Sequence, residues 1–413
     1  MKQCKIIVGK NFGDEGKGLT TDYFANQFKR QNATALVVKH NGGGQAGHTV
    51  EYKNNIRFVF HQLSSGSFCG CPTYLCDTFI PDLLKLEDEI KKFGLICPDI
   101  PHIYVDSECK PTLIYDVLVN EIVENMRKNS RHGSCGMGIN ESVVRNRHKQ
   151  YSINIAELSH MSVNDIYCFL KKIRKEYIPK RFDELNISLN SKSVWYDILN
   201  DNNIPMNCAE IMYDAFQYTD IIEKRENPIK NYDNIIFESA QGLMLDCDNT
   251  EFFPHLTPSH TGSKNPFRLM ERNNIEYNQS NTEICYVTRT YVTRHGAGFL
   301  PNECGSDEIN TDMHDITNIP NDWQETMRFA RHGSPENFLE YIFRESIFNK
   351  SVLTSLFVTH LNETSDCIVT TDGLIPINEY VRKLNKLFNF GNIYLSNGRY
   401  SENTHIFGQN NQP

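Results

Sequence analysis

Short unbroken apolar runs, each closed by glycine or a polar loop, recur along this chain. Residues 4–9 (CKIIVG) read as a buried strand that breaks at Gly9, and the amphipathic TTDYFANQFKR beyond the next loop reads as a helix. ATALVVKH (33–40) is a second buried strand and ends at the glycine-rich NGGGQAGHT. PTYLCD is a third, and IPDLLKLEDEIKKFGL is a helix with Gly94 as its C-terminal stop. NIIFES (234–239), EICYVTRTYVTR and SLFVTHLN repeat the theme. Buried strands alternating with helices predict an α/β fold: a large central, mostly parallel sheet flanked by helices. The segment 162–232 reads as a mostly helical insertion, and the Asn-rich stretches 186–207 and 273–282 as surface loops. No repeat or linker divides the chain, so residues 1–413 are expected to form one domain, with a frayed GQNNQP tail.

Composition narrows the function classes. A hydrophobic content of 39% against 23% charged residues fits a globular protein with a real core. A formal charge of −9 argues against a nucleic-acid surface, yet leaves room for local cationic sites that take small anions. The first residues lack a signal-peptide pattern, and no apolar run approaches the ~20 residues of a membrane span. The expected compartment is the cytoplasm. Thirteen cysteines, an odd number at irregular spacing in a long chain, argue against a disulfide scaffold. Cys69, Cys71 and Cys76 form the tightest group, but without a second cysteine pair they read as reduced thiols rather than a zinc site.

The chemistry concentrates in loops after strands, where ligands gather in open α/β sheets. The first is Gly13-Asp14-Glu15-Gly16-Lys17-Gly18, between a strand and a helix. It is not a Walker A loop, because Asn11 and Gly18 stand where that motif needs Gly and Ser or Thr. Its glycines still let backbone approach a phosphate at a helix N-terminus, with Lys17 to neutralise charge. A carboxylate there suits a Mg²⁺ ligand or a base that deprotonates a group about to be phosphorylated. The second loop, NGGGQAGHT, ends in His48, placed to donate to an oxygen carrying phosphate. Gln241 follows the strand NIIFES and offers both a donor and an acceptor to a purine edge. Arg289, Arg294, His295, Arg328 and Arg331 supply groups that grip carboxylates and phosphates.

Taken in order, these segments resemble the adenylosuccinate synthetase family. The family's GDEGKG stands at 13–18, its NAGHT is similar to QAGHT at 45–49, and its FEGAQG to FESAQG at 237–242. TRVGAGPFPTE resembles TRHGAGFLPNE at 293–303, TKLD resembles THLN at 359–362, and the C-terminal STGPDR-like turn resembles SNGRYS at 396–401. The resemblance implies the P-loop-like fold of that family and a ligase joining L-aspartate to C6 of inosine monophosphate, driven by GTP and Mg²⁺. Asp14 would take the purine N1 proton while O6 attacks the γ-phosphate. His48 would stabilise the transferring phosphoryl group, and Gln241 would hold the 6-oxo group. Asp14 and the Gly47 carbonyl would ligate Mg²⁺.

Further positions carry over one by one. Nucleoside triphosphate would contact Gly13, Glu15, Gly16, Lys17, Gly18, Gly47 and Thr49, then Thr359, His360, Asn362, Asn397 and Gly398 around the base. Mononucleotide and aspartate would contact Gln45, Ser134, Cys135, Arg147, Thr257, Arg294 and Arg328. The family acts as a homodimer in which an arginine enters the partner's site, and Arg145 or Arg147 is the nearest match. Nucleic-acid and membrane partners are not expected.

The departures bear on specificity. His360 and Asn362 replace the Lys and Asp that grip guanine, and an Asn cannot accept two hydrogen bonds from guanine N1–H and N2–H₂ as a carboxylate does. ATP therefore becomes a plausible donor beside GTP. The nucleotide loop GSCGMGINESVVRNR (133–147) keeps only the glycine spacing, and NDWQETMRFARHG stands for the family's aspartate loop. Such changes resemble a branch that acts on deoxyguanosine monophosphate with an adenine nucleotide as donor. In that branch a small residue replaces the loop Asp, whereas Asp14 is retained, which favours inosine monophosphate. An inactive nucleotide-binding paralogue is the competing class, and phosphate release that needs aspartate separates the two.

Overall fold

In the computed structural model, residues 2–127, 131–223, 226–310, 327–346 and 351–408 are described. Residues 321–326 of the NDWQETMRFARHG segment and most of the GQNNQP tail lie outside them. Ten strands form one sheet. From one edge to the other they are Thr404–Ile406, Ile393–Ser396, Leu353–Thr359, Thr282–Arg289, Gln3–Gly9, Asn234–Gly242, Ala35–Lys39, Thr73–Leu75, Ile103–Asp106 and Asp220–Ile222. Every neighbouring pair is parallel except the first, which is antiparallel.

The apolar runs lack alternation because both faces of the sheet are covered. In the central strand, Ile6 and Val8 pack with Leu36, Val38, Phe237 and Tyr286. Ile7 points the other way, onto Val37, Ile236 and the helix Lys17–Arg30 through Tyr23, Phe24 and Phe28. Register then decides where the chemistry lies. Gly9 pairs with Gly242 and Val287, Lys39 with Glu238, and Thr359 with Arg289. The carboxyl ends of five central strands thus come level, so segments distant in sequence open onto one rim.

The insertion is helical as expected, with Val163–Lys172, Ile178–Glu184, Val194–Asn200 and Asn203–Ala215, but its end adds the strand Asp220–Ile222 to the sheet edge. The helix Leu83–Gly94 ends at Gly94 as expected, and Leu95 leaves it with right-handed geometry. Two readings need correction. The stretch 186–207 contains one helix and the start of another, because Leu199 on the apolar face is buried. In 273–281, Asn273 and Asn281 are buried, donating to the carbonyls of Leu269 and Glu276. Among the described residues, no helix is long and apolar enough to cross a membrane.

Candidate active site

The rim holds a cavity of about 290 Å³, walled by Asp14, Lys17, His48, Arg289, His360 and Arg399 among others. Twelve of the residues expected from sequence line it: Asp14, Gly16, Lys17, Gly18, Gly47, His48, Thr49, Arg289, Thr359, His360, Asn362 and Gly398. Glu51, Arg57 and Glu363 line it too. Gly18 is dictated by packing, since a Cβ there would sit 2.7 Å from the Thr49 carbonyl oxygen. The strand that presents His48 therefore lies directly against the first turn of the helix behind the phosphate loop.

The Glu15 side chain turns into the loop rather than toward the cavity. Its buried carboxylate accepts the backbone N–H groups of Asn11 at 3.0 Å and Gly13 at 2.8 Å, and pairs with Lys17 Nζ at 2.8 Å. It does not line the cavity. One carboxylate thus satisfies two loop amides and neutralises the loop lysine, a buried charge paired on every side. The carbonyl of Glu15 in turn accepts from Thr359 Oγ1 at 2.8 Å, which ties the loop to the neighbouring strand end.

Asp14 is held differently. It adopts φ 59°, in the left-handed region, as do Gln241 at 62° and His360 at 64°. Its carboxylate Oδ2 lies 2.7 Å from His295 Nε2, and its backbone carbonyl accepts from Arg289 Nε. Burial would raise the Asp14 pKa, but the hydrogen bond and charge of His295, with Arg289 and Lys17, hold it well below the usual carboxylate range.

His48 Nδ1 lies 2.8 Å from Glu238 Oε1, deep under the rim. Glu238 also accepts from Ser65 and lies 3.5 Å from Lys39 Nζ. Burial would raise the Glu238 pKa, yet Lys39 and His48 drive it far down, so it stays ionised. A carboxylate acceptor fixes the proton on Nδ1 and aims Nε2 into the cavity. Burial lowers the His48 pKa despite Glu238. Glu238 is the partner of His48 that sequence reading missed, although it stands inside the FESAQG motif.

Other expected contacts gather beside the cavity rather than in it. The loop with Ser134 and Cys135 touches the loop after Arg294, since a Cβ on Gly133 would lie 2.5 Å from the Ala297 amide. His255 Nδ1 is 3.1 Å from the His132 carbonyl, and Arg294 donates to the carbonyls of Phe299 and His255. Arg328 joins them through Gly298 and Gly296. Its guanidinium is also paired with Glu303. Arg294 is 2% exposed, stacks 4.6 Å from the Phe12 ring centroid, and has no acidic partner among the described residues. Burial, with Arg328 nearby, pulls its pKa down to about 10. A desolvated guanidinium without a counter-ion is a seat for an anion.

Gln241 lies at the loop, its amide oxygen 3.3 Å from where a Cβ on Gly13 would stand. Gln45 Oε1 is buried without a partner. Thr257 lies two residues beyond His255, Ser134 Oγ donates to Asn120 at 2.8 Å, and Asn397 is exposed beside the cavity. Of the two candidate crossing arginines, Arg145 is excluded: it is fully buried and forked onto Asp116 in its own chain. Arg147 is exposed.

At the far end stand His360, Asn362, Glu363, Gly398 and Arg399. The Glu363 carboxylate accepts from Tyr291 OH, which Arg289 also contacts at 3.0 Å. Burial holds the His360 imidazole far below its ordinary pKa, and its Nδ1 is 2.7 Å from Thr359 Oγ1.

Comparison with known proteins bears directly on this arrangement. The adenylosuccinate synthetase family model matches residues 6–367. The adenylosuccinate synthetase of Picrophilus torridus is 29% identical over 312 residues, spanning 74% of this chain and 66% of that one. That of Mesoplasma florum is 25% identical over 302 residues, spanning 72% and 64%. The chain thus matches a little under two thirds of these relatives' length. The fully ligated adenylosuccinate synthetase from Plasmodium falciparum superposes with a TM-score of 0.69 at 17% identity, over 97% of this chain and 99% of that one. The cyanophage S-2L succinoaminodeoxyadenylate synthetase, bound to dGMP and dATP as an energy donor, superposes with 0.62 at 13% identity, over 98% and 95%. At these identities the structural likeness is one of fold.

Proposed function

Because this chain belongs to the adenylosuccinate synthetase family, we propose that it joins L-aspartate to C6 of a 6-oxopurine mononucleotide at the expense of a nucleoside triphosphate. The observation that carries the reading is one cavity walled by both Asp14 and His48, with the glycine–lysine loop at its base. In the first step Asp14 takes the N1 proton as O6 attacks the γ-phosphorus, and the nucleoside diphosphate leaves. The incoming nucleotide displaces His295 from Asp14 Oδ2, which restores the carboxylate's basicity. His48, charged by the arriving phosphates and anchored by Glu238, donates from Nε2 to the transferring phosphoryl oxygens. In the second step the aspartate amine adds at C6, and phosphate departs with O6. Arg294 receives a carboxylate or phosphate of the substrates.

Magnesium fits the donor set. The Asp14 carboxylate and the exposed Gly47 share the cavity wall, two hard oxygen donors for an ion that keeps water and phosphate as its other ligands. When bound it neutralises charge on the triphosphate.

For the acceptor, retained Asp14 supports inosine monophosphate. Deoxyguanosine monophosphate is the second reading, favoured by the base end of the cavity. There Glu363 is engaged by Tyr291, and Asn362 offers one carbonyl, so guanine of a donor lacks a carboxylate clamp and ATP or dATP is preferred. The test is a matrix of IMP, GMP and dGMP against ATP, dATP and GTP, with aspartate and Mg²⁺ and mass detection of the succinyl adduct. Adduct with IMP and an adenine nucleotide is expected. No adduct in any cell, from folded protein, would overturn the ligase reading.

A further inference from the structure

The strand that delivers Gln241 runs on into a loop that returns at residues 259–261, and four ligand-type side chains meet where the loop closes. Asp246, Cys247, Asp248 and His260 each place one ligand atom within 4.8 Å of all the others. His260 Nδ1 lies 3.3 Å from Cys247 Sγ, 3.5 Å from Asp246 Oδ1 and 3.6 Å from Asp248 Oδ2. Cys247 Sγ is 3.8 Å from Asp248 Oδ1. A tetrahedral zinc ion, with bonds of about 2.0–2.3 Å, sets its ligand atoms roughly 3.3–3.6 Å apart. The three separations from His260 Nδ1 already match the edges of such a site.

We propose that Asp246, Cys247, Asp248 and His260 bind a zinc-type divalent cation that staples this loop. A thiol and an imidazole beside two carboxylates select a borderline ion over Mg²⁺, which takes oxygen ligands. Asp246 is already oriented by the layer behind it. Its Oδ2 accepts the Thr261 amide at 2.7 Å and the Thr261 hydroxyl at 3.3 Å, which turns Oδ1 toward the cluster. A divalent cation bound here would take the Cys247 sulfur as thiolate, releasing its proton. Lys264, on a side chain 42% exposed, pairs with Asp248, and metal binding would require it to give up that carboxylate.

The site differs from the cysteine group singled out in the sequence. Cys69, Cys71 and Cys76 are not among the ligand clusters of the described residues; Cys69 Sγ instead faces Asp22 at 3.7 Å. The staple would close the segment carrying His255 and Thr257, which backs the Arg294 pocket. It requires nothing of the ligase reading, since it concerns the nucleotide-free protein.

The test uses the full chain, stripped with chelator and titrated with zinc alone. One zinc per chain is expected, with a raised melting temperature and proton release. Cobalt in its place should give a thiolate charge-transfer band. Cys247→Ser with His260→Ala should weaken zinc at least 100-fold and remove the band, while Cys69→Ser leaves both unchanged. Asp248→Asn, at an exposed position, should weaken zinc about tenfold. Substoichiometric zinc in the wild type, or undiminished binding in the double variant, overturns the proposal. If the double variant does not fold, the wild-type stoichiometry and cobalt spectrum decide it.

Discussion

His295 Nε2 and Asp14 Oδ2 lie 2.7 Å apart, so the loop after Arg294 clamps the carboxylate at the mouth of the phosphate loop. The family resemblance places valine at this position, which could not make the contact. Replacing His295 with Val removes the largest influence holding the Asp14 pKa down, leaving only Arg289 and Lys17 to oppose burial. A depressed carboxyl pKa stabilises the fold above its unfolded value and loses that contribution as pH falls through the folded one. His295→Val should therefore move the acid limb of the kcat/KM profile to higher pH. An unmoved limb would show that Asp14 is not the group titrating there.

Glu238→Gln keeps the shape but removes the charge that fixes the His48 tautomer. Turnover should fall about 10²–10⁴-fold, the range a positioned acid or base contributes, while KM for the triphosphate changes little. The variant should also unfold at lower temperature, because Lys39 loses its buried partner. Circular dichroism and steady-state kinetics measure the two effects separately.

Asn362→Asp restores a two-oxygen acceptor at the base end of the cavity. The ratio of kcat/KM for GTP over ATP should rise at least tenfold, or about 1.4 kcal/mol, the scale of one regained charge-assisted hydrogen bond. If the ratio stays put, the purine does not lie against Asn362.

Asp22 is buried on the helix Lys17–Arg30 itself, and burial raises its pKa to about 6. A folded-state pKa above the unfolded value means that the fold binds the extra proton between roughly pH 4 and 6, so stability falls as pH rises through that window. Asp22→Asn should flatten this slope and stabilise the protein at pH 7 by up to about 3 kcal/mol, the equivalent of two pKa units. Urea titrations at pH 5 and 7.5 would measure it.

The strands, the phosphate loop and His48 were legible because each is local: an apolar run, a glycine cluster, a histidine at a strand start. The partners that tune them were not, because they come from elsewhere in the chain. Glu238 reaches His48 only because Asn234–Gly242 pairs beside Ala35–Lys39. His295 reaches Asp14 through a loop whose course no periodicity encodes. Glu15 looked like a ligand contact because its motif is dense with them, yet its carboxylate serves the loop's own amides. Arg145 looked like a surface charge able to cross a dimer until its fork onto Asp116 placed it inside.

Asp14, Gln241 and His360 share a left-handed backbone, and all three stand at or beside the cavity. Each such residue costs on the order of 1 kcal/mol relative to glycine. A library selected only for heat resistance would accordingly enrich glycine at these positions and discard the proposed base with it. Variants recovered from such a selection should be tougher and silent, which makes thermal hardiness a poor proxy for fitness in this chain.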